Sequence, residues 1–222
     1  MKTTAIIVAA GSGSRFNSDT PKQFLEINGK AVIGHTIDRF IAAPSINEIV
    51  VVLGADRVDG FDRSGFAKVS AVVAGGNTRA ESVAAGIAAV SNDTELIAVH
   101  DGARPLVSID EIDRTIAAAK TTGAACLVAP VTDTIKSIRD NEIAATLDRT
   151  KLRRALTPQV FKKELLLMAF EGIPFDESIT DECYLVERLG HPITIVEGSA
   201  RNIKITHPDD ILIAEALLNT EN

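Results

Sequence analysis

The first predicted strand runs directly into a glycine-rich loop at Ala5-Ile-Ile-Val-Ala-Ala-Gly-Ser-Gly-Ser-Arg15, and Pro21-Lys-Gln-Phe24 follows shortly afterwards. Two closely spaced glycines at the end of a strand let backbone N–H groups approach an anion. Two cations, Arg15 and Lys22, can neutralise charge on a polyphosphate there. The loop is not a dinucleotide fingerprint, because Phe16 stands where a third Gly or Ala is required, and no Gly-Lys-Ser/Thr follows to make it a Walker A loop. The stretch therefore predicts a nucleotide-phosphate loop of another kind.

The composition is that of a globular protein and argues against several classes of function. The chain has 222 residues, of which 45% are hydrophobic and 24% charged, enough for one α/β domain with a well-buried core. A formal net charge of −7 and 4% aromatic residues argue against nucleic-acid or anionic-membrane binding. No signal pattern, membrane-length apolar run or C-x-x-C pair is visible. We expect a cytoplasmic protein in which Cys126 is a small core residue.

Strand-like and helix-like segments alternate through the first part of the chain. The strand-like segments are short and rich in Val, Ile and Ala, which is typical of buried parallel strands. The predicted strands are 5–10, 48–53, 69–74, 97–100 and 124–130, and the predicted helices between them are 32–42, 79–90 and 109–122. The last two helices begin with capping boxes. This alternation predicts a doubly wound α/β sheet.

The pattern changes near Val131. Residues 133–155 mix Thr, Ile, Lys, Arg and Asp without a sustained helical stripe, and Asp140-Asn141 is typical of a turn between two short strands. We interpret 133–155 as a β-hairpin arm of a single domain spanning 1–222. A two-stranded arm cannot bury both faces by itself, so we expect it to pack on another subunit. The elements predicted after the arm are helices at 162–170 and 181–189, a strand at 193–197, an extended segment at 202–206 and a helix at 208–218.

Polar residues follow several predicted strands, at the point where each strand ends. These polar strand ends begin at Gly11, Gly75, His100 and Pro130. Since ligands of an open parallel sheet bind at the carboxyl ends of the strands, the four ends together predict a pocket. Gly75-Gly76 either forms an ordinary turn or exposes backbone groups to a nucleobase.

Other residues in these segments also have two interpretations. Asp101 and Arg104 either form a surface ion pair in a turn or have separate functional roles. In the second case, the Asp101 carboxylate meets a substrate hydroxyl or a metal, and the Arg104 cation holds the loop. Ser82 lies on a helix face whose small residues admit either a ligand or a neighbouring strand. Lys204 alternates with two isoleucines, so it is either an ordinary solvated lysine or a ligand-binding one. Arg149 belongs to a basic cluster that suggests an anion site or an arm interface.

Eight motifs occur in order along the chain. They are Ala9–Arg15, Pro21–Phe24, Gly75–Val83, Val99–Pro105, Pro130–Lys136, Leu156–Phe161, Thr180–Glu182 and Asn202–Thr206. Together they resemble the motifs of the 2-C-methyl-D-erythritol 4-phosphate cytidylyltransferases of the non-mevalonate isoprenoid pathway, from about residue 4 to residue 218. The glycine loop alone is shared by many nucleotidyltransferases, whereas eight ordered motifs are specific.

The resemblance implies a Rossmann-like, three-layer nucleotidyltransferase with a mostly parallel twisted sheet and a protruding arm that builds a homodimer. The implied reaction joins CTP to methylerythritol phosphate and releases pyrophosphate, with a divalent metal, usually Mg²⁺, held mainly by the CTP phosphates. Neither nucleic acid nor a membrane is an implied partner.

The resemblance also implies roles for individual residues. The implied nucleotide contacts are Ala9, Ala10, Gly11 and Gly13, with Gly76, Asn77 and Ser82 at the cytidine. The implied transition-state cations are Arg15, Lys22, Arg149 and Lys204. The implied contacts to ribose and sugar phosphate are Asp101, Gly102, Arg104, Thr134 and Thr180, with Thr157 and Arg149 coming from the partner subunit. Asp101 is also a candidate metal ligand.

The chemistry of such a reaction fits these residue types. The substrate phosphate is itself the nucleophile and is already ionised, so no general base is required. The obstacle is to bring two polyanions together, which positioning and preorganised cations can overcome.

Some departures and alternatives stay open at this point. Arg201 precedes Asn202 where relatives often carry an acid, and Asn77 replaces an Asp found in some relatives. A ribitol 5-phosphate cytidylyltransferase would share the CTP half of the site. A noncatalytic nucleotide-binding regulator is disfavoured by the presence of Arg15 and Lys22, and a nicotinamide oxidoreductase by Phe16.

Overall fold

The computed structural model of the protein describes residues 1–11, 20–173 and 179–220. Its elements in chain order are β1 (Thr3–Ala9), β2 (Glu26–Ile27), β3 (Lys30–Ala31), α1 (Val32–Ala42), β4 (Glu48–Leu53), β5 (Val69–Ala74), α2 (Arg79–Ala88), β6 (Leu96–Asp101), α3 (Ile109–Thr122), β7 (Ala124–Pro130), β8 (Lys136–Arg139), β9 (Glu142–Thr146), β10 (Arg153–Lys162), α4 (Lys163–Phe170), α5 (Glu182–Arg188), β11 (Thr194–Glu197) and α6 (Asp209–Leu218). Short 3-10 turns lie at Lys22–Phe24, Ala55–Arg57 and Arg149–Lys151. In the described ranges, no helix has both the length and the apolar character needed to cross a bilayer.

A seven-stranded sheet forms the centre of the fold, in the order β11-β7-β10-β6-β1-β4-β5. Its neighbouring strands are parallel except at β10, which is antiparallel to both β6 and β7. The register places Val8 of β1 opposite Asp101 of β6. Because β1 and β6 run in the same direction, their carboxyl ends meet at one edge of the sheet and bring Asp101 beside the end of β1.

Helices cover both faces of this sheet and complete three layers. On one face α1 and α3 bury Ile37 and Ile112 against β1 and its neighbours. On the other face α2, α4 and α5 contribute Val83, Leu166 and Val186 to a second apolar cluster. The sheet strands are apolar on both sides because both sides are covered. The prediction of a doubly wound, mostly parallel sheet is confirmed.

A third, smaller cluster lies beside the sheet and fixes the loop after β6. It combines Ala103 and Leu106 from that loop with Ile27, Ile205 and Ala214. The backbone N–H of Ile205 donates to the carbonyl of Ala103 at 2.8 Å. These contacts hold the segment at 202–206 against the carboxyl end of β6, although the structure assigns no strand to that extended segment.

The strand β10 is absent from the sequence prediction. Its residues include Arg153, Arg154, Thr157 and Gln159, so the segment lacks the continuous apolar run of the other central strands. The pairing register with β7 also shifts between Ala155 and Gln159. That interval contains a proline, which cannot donate a ladder hydrogen bond.

The predicted hairpin is formed by β8 and β9. Asp140 and Asn141 connect the two strands with φ of 49° and 66°, the left-handed region that tight hairpin turns require. Ile138 and Ile143 lie opposite each other and are 69% and 67% exposed. The predicted arm boundary at residue 155 is wrong, since 153–155 already belong to β10 of the central sheet.

Candidate functional site

A cavity of about 540 Å³ opens at the carboxyl ends of β1 and β6, between the start of α2 and the turn Lys22–Phe24. Its described lining residues are Val8, Ala9, Ala10, Gly11, Lys22, Gln23, Gly76, Asn77, Thr78, Arg79, Ser82, Asp101, Ala103 and Lys204. Those that the sequence also predicted are Ala9, Ala10, Gly11, Lys22, Gly76, Asn77, Ser82, Asp101 and Lys204. Gly13 and Arg15 lie outside the described residues.

Gln23 ties the lysine-bearing turn to the end of β1. Its buried side-chain amide donates to the carbonyl of Ala9 at 2.7 Å and to that of Gly11 at 2.9 Å. Lys22 is the neighbouring residue of the same turn and lines the cavity. The position of Lys22 relative to the end of β1 is therefore set by a side chain that the sequence did not single out.

The start of α2 is fixed by its own side chains. Thr78 and Glu81 form the predicted capping box. The Ser82 hydroxyl accepts from the N–H of Gly76 at 3.2 Å and donates to the carbonyl of Thr78 at 3.0 Å, while Glu81 also accepts from the N–H of Asn77. The loop before α2 is thus held in place by hydrogen bonds within the chain.

Gly75 and Gly76 are sterically required in this loop. A Cβ on Gly75 would lie 2.5 Å from the Cβ of Ala10, and one on Gly76 would lie 2.4 Å from the Cβ of Glu81. The close packing of the loop against β1 and α2 explains the glycine pair, and Gly76 still lines the cavity. The exposure of backbone groups to a nucleobase stays a prediction.

Three cations surround the carboxylate of Asp101. Its Oδ1 lies 3.2 Å from Nε of Arg79, and its Oδ2 lies 3.3 Å from Nε of Arg104 and 2.9 Å from Nζ of Lys204. The predicted ion pair between Asp101 and Arg104 is therefore present, but its expected surface location is wrong, because Asp101 is only 7% exposed. Burial opposes ionisation, but Arg79, Lys204 and Arg104 together hold the pKa of Asp101 well below its usual range. The carboxylate stays charged at any physiological pH.

Arg79 continues this network to a second carboxylate. Its Nη1 donates to Oε1 of Glu182, a side chain of α5 with no exposed surface. Burial raises the pKa of Glu182, and the charge of Arg79 opposes that rise. Neither Arg79 nor Glu182 was predicted as a site residue, although both lie inside quoted motifs, at Gly75–Val83 and Thr180–Glu182.

Lys204 is held at the cavity by its ion pair and by its segment. The carbonyl of Asn202 accepts from Nη1 of Arg104 at 2.9 Å, and the Asn202 amide donates to the carbonyl of Thr157 at 3.0 Å. The Lys204 side chain is 40% exposed, but its ion pair with Asp101 and its place in the cavity lining favour the ligand-binding interpretation. The neighbouring Arg201 turns away and donates to the carbonyl of Leu217 at the end of α6.

His100 and Thr157 form a buried support beneath Asp101. The Thr157 hydroxyl accepts from the N–H of Asp101 at 3.2 Å and donates to Nδ1 of His100 at 3.0 Å. Nε2 of His100 is 3.1 Å from the carbonyl of Arg104, which can only accept, so this nitrogen carries the proton. The hydroxyl of Thr157 is used within its own chain, which contradicts its expected contribution to a partner's site.

The remaining predicted residues do not line the described cavity. Gly102 supports it, because a Cβ there would lie 2.8 Å from the Cβ of Ala9. Thr134 and Arg149 belong to the exposed base of the arm, where Arg149 donates to the carbonyl of Thr132. Thr180 is exposed directly before α5. Within one chain, Thr134, Arg149 and Thr180 are not among the described residues that line the cavity.

The described residues do not suit a metal held by protein ligands. No group of three or more His, Cys, Asp or Glu side chains in the described ranges could hold a metal ion. Both oxygens of Asp101 are already occupied by cations. The suggestion of Asp101 as a single metal ligand stays a prediction.

Comparison with known proteins identifies relatives over nearly the whole chain. Residues 3–220 match the model of a family described as 2-C-methyl-D-erythritol 4-phosphate cytidylyltransferase. A protein of that name from Alkaliphilus oremlandii is 43% identical over 226 residues, covering 99% of this chain and 96% of the relative. A crystal structure of 4-diphosphocytidyl-2C-methyl-D-erythritol synthase from Anaerococcus prevotii is 30% identical, with a TM-score of 0.83 and coverage of 98% and 96%. The cytidylyltransferase structure from Thermus thermophilus is 33% identical, with a TM-score of 0.81 and coverage of 99% and 100%.

The buried histidine predicts a specific pH dependence of stability. Burial lowers the pKa of His100 from 6.5 to about 3, so the unfolded chain binds one more proton as the pH falls below 6.5. The contribution of the neutral His100 ring to the free energy of unfolding is complete above pH 6.5. It is lost as the pH falls toward 3, by up to about 1.4 kcal/mol per pH unit. Urea unfolding between pH 7 and 5 should show a steeper loss for the wild type than for His100→Gln, which has no titrating ring. Equal slopes would contradict the assignment of His100 as a buried neutral group.

Proposed function

This chain belongs to the 2-C-methyl-D-erythritol 4-phosphate cytidylyltransferase family, and from that premise we propose how the residues of its cavity divide the reaction between them. It is a nucleotidyltransferase that transfers the cytidylyl group of CTP to 2-C-methyl-D-erythritol 4-phosphate in isoprenoid precursor biosynthesis. The products are 4-diphosphocytidyl-2-C-methyl-D-erythritol and pyrophosphate. The observation that carries the proposal is that the end of β1, the start of α2 and the Asp101–Lys204 ion pair all meet at one cavity.

The cytidine is assigned to the start of α2. The N–H groups of Gly76 and Asn77 already donate to Ser82 and Glu81, so they are not the groups that read the base. The carbonyl of Gly76 can accept from the exocyclic amino group of cytosine, which is a donor. The side-chain amide of Asn77 offers both a donor and an acceptor, so replacement of an acid by Asn at this position keeps an acceptor for the base.

The triphosphate is assigned to the backbone of Ala9, Ala10 and Gly11 and to Lys22. A glycine-bearing loop at a strand end permits close approach of an anion, and Lys22 adds a positive charge at the same cavity. Mg²⁺ is assigned to the oxygens of the triphosphate alone, because Asp101 is taken up by three cations. Arg15, outside the described residues, is proposed as a second cation on this side.

The sugar phosphate is assigned to the Asp101–Lys204 side of the cavity. One phosphate oxygen of methylerythritol phosphate attacks the α-phosphorus of CTP, forming a new P–O bond. The bond from the α-phosphorus to its bridging oxygen breaks, and pyrophosphate leaves with that electron pair. No proton has to move, so the protein contributes alignment and cations fixed in advance, such as Lys204 held 2.9 Å from Asp101.

Replacing Lys22 with Ala tests the proposed function directly. Pyrophosphate release is measured with CTP and either methylerythritol phosphate or ribitol 5-phosphate. The wild type should release pyrophosphate with the former, and Lys22→Ala should lower kcat by about 10²–10³-fold with only a modest change in CTP affinity. Lys120→Ala, an exposed lysine at the end of α3, is the matched control and should behave as wild type. An unchanged kcat for Lys22→Ala would overturn its role as a transition-state cation.

A homodimer through the β8–β9 arm is part of the proposal. Ile138 and Ile143 form an exposed apolar pair on one face of the hairpin, and a two-stranded hairpin is only marginally stable by itself. A second copy of the chain would cover this pair. It would also carry Thr134 and Arg149, which do not line the cavity of their own chain, to the sugar-phosphate side of the partner's cavity.

Mixing two impaired variants tests whether Arg149 acts on the cavity of the partner subunit or on that of its own chain. Lys22→Ala and Arg149→Ala should each be impaired, the second mainly through a higher KM for the sugar phosphate. If Arg149 acts on the partner, each mixed dimer contains one cavity with both native residues, so an equimolar, re-equilibrated mixture should recover about a quarter of wild-type activity. If mixing restores nothing although mixed dimers form, Arg149 does not act across the interface. A mixture of Lys22→Ala with itself is the baseline.

A further inference from the structure

Arg79 connects parts of the site that belong to different elements. It is the first residue of α2, directly after the cap Thr78. Its Nε lies 3.2 Å from Oδ1 of Asp101 at the end of β6, and its Nη1 donates to Oε1 of Glu182 at the start of α5. Its side chain is 24% exposed and lines the cavity. One guanidinium thus joins α2, β6 and α5 at the edge where the substrates meet.

Net stabilisation is a weak explanation for the Arg79–Glu182 pair. Glu182 has no exposed side-chain surface, and its Oε2 has no hydrogen-bond partner among the described residues. A buried ion pair with an unsatisfied oxygen is often no more stable than apolar residues of similar volume, because desolvation offsets the attraction. A lysine could not replace the arginine equivalently, because only the planar guanidinium fork directs separate N–H groups at two carboxylates. The geometry of the Arg79–Glu182 pair therefore suits a role in positioning neighbouring groups better than a role in stabilising the fold.

The helices that Arg79 connects, α2 and α5, are each anchored by other bonds, so Arg79 can fix the position of Asp101 relative to them. The start of α5 is held separately by Gln159, whose amide donates to Asp181 at 2.9 Å and accepts from the N–H of Cys183 at 3.1 Å. The start of α2 is held by its capping box. Asp101 is therefore fixed by Arg79 relative to two anchored helices, and Asp101 in turn holds Lys204 at 2.9 Å.

We propose that Arg79 is a positioning residue for the sugar-phosphate half of the site, holding Asp101 and through it Lys204 in register with the nucleotide-binding start of α2, with Glu182 as its fixed anchor. This rests on the proposed assignment of Lys204 to the sugar phosphate. Loss of Arg79 should affect kcat and the KM for methylerythritol phosphate. It should leave CTP affinity close to wild type, since the loop before α2 is held by Thr78, Glu81 and Ser82.

The test separates positioning from stability with a double replacement. Arg79→Met leaves Glu182 buried without its partner and should be less stable in urea, with kcat/KM for methylerythritol phosphate lowered by about 100-fold. Arg79→Met combined with Glu182→Met removes both charges, so its urea midpoint should return toward wild type while kcat/KM stays low. Arg79→Lys keeps a cation beside Glu182 and covers the case in which the Met variants do not fold. It should fold and yet fail to restore kcat/KM.

Arg114→Met is the matched control, because Arg114 pairs with Asp110 on the exposed surface of α3. It should retain wild-type midpoint and kinetics. Recovery of both stability and kcat/KM in the double variant, or full activity in Arg79→Lys, would show that Arg79 has only a structural role. A wild type that binds CTP but releases no pyrophosphate with methylerythritol phosphate would instead overturn the proposed function. Failure of the positioning role of Arg79 and failure of the proposed function therefore give different results.

Discussion

The buried carboxylate of Asp101 is the constraint on which the arrangement of the site depends. A charge at 7% exposure is tolerated only when it is compensated, and Arg79, Arg104 and Lys204 compensate it from three directions. Each of these cations belongs to a different segment. Neutralising one anion therefore draws α2, the loop after β6 and the segment at 202–206 to the same edge of the sheet.

This constraint separates the cavity into two halves with different supports. The side proposed for the nucleotide is built from backbone and short local bonds, through Gln23 at the end of β1 and the capping box of α2. The side proposed for the sugar phosphate depends on ion pairs between distant segments and, in the same proposal, on an arm from a second chain. The two supports meet at Arg79, which begins α2 and pairs with Asp101. Replacements elsewhere on one side should change the handling of one substrate more than that of the other.

Much of the fold could be predicted from the sequence, because short apolar runs and capping boxes are local signals. The bounds of β4, β5, β7, α1 and α3 agree with the prediction for this reason. The strand β10 could not be recognised, since its polar residues are buried by tertiary pairing that no local pattern records. Gln23, Arg79 and Glu182 were missed for a related reason: each acts through a bond to a residue that the fold, not the sequence, places beside it. For Lys204 the local alternation left two interpretations open, and only its contact with Asp101, which the fold creates, favours the ligand-binding one.

Asp101→Asn is the most direct test of this account, because it removes the charge and keeps the shape. We expect a folded protein that binds CTP, whose kcat/KM for methylerythritol phosphate is lowered by about 100-fold as Lys204 loses the charge that holds it. Steady-state pyrophosphate release, with CTP binding measured separately, provides both values. A folded Asp101→Asn variant with wild-type kcat/KM would contradict the central role of this carboxylate.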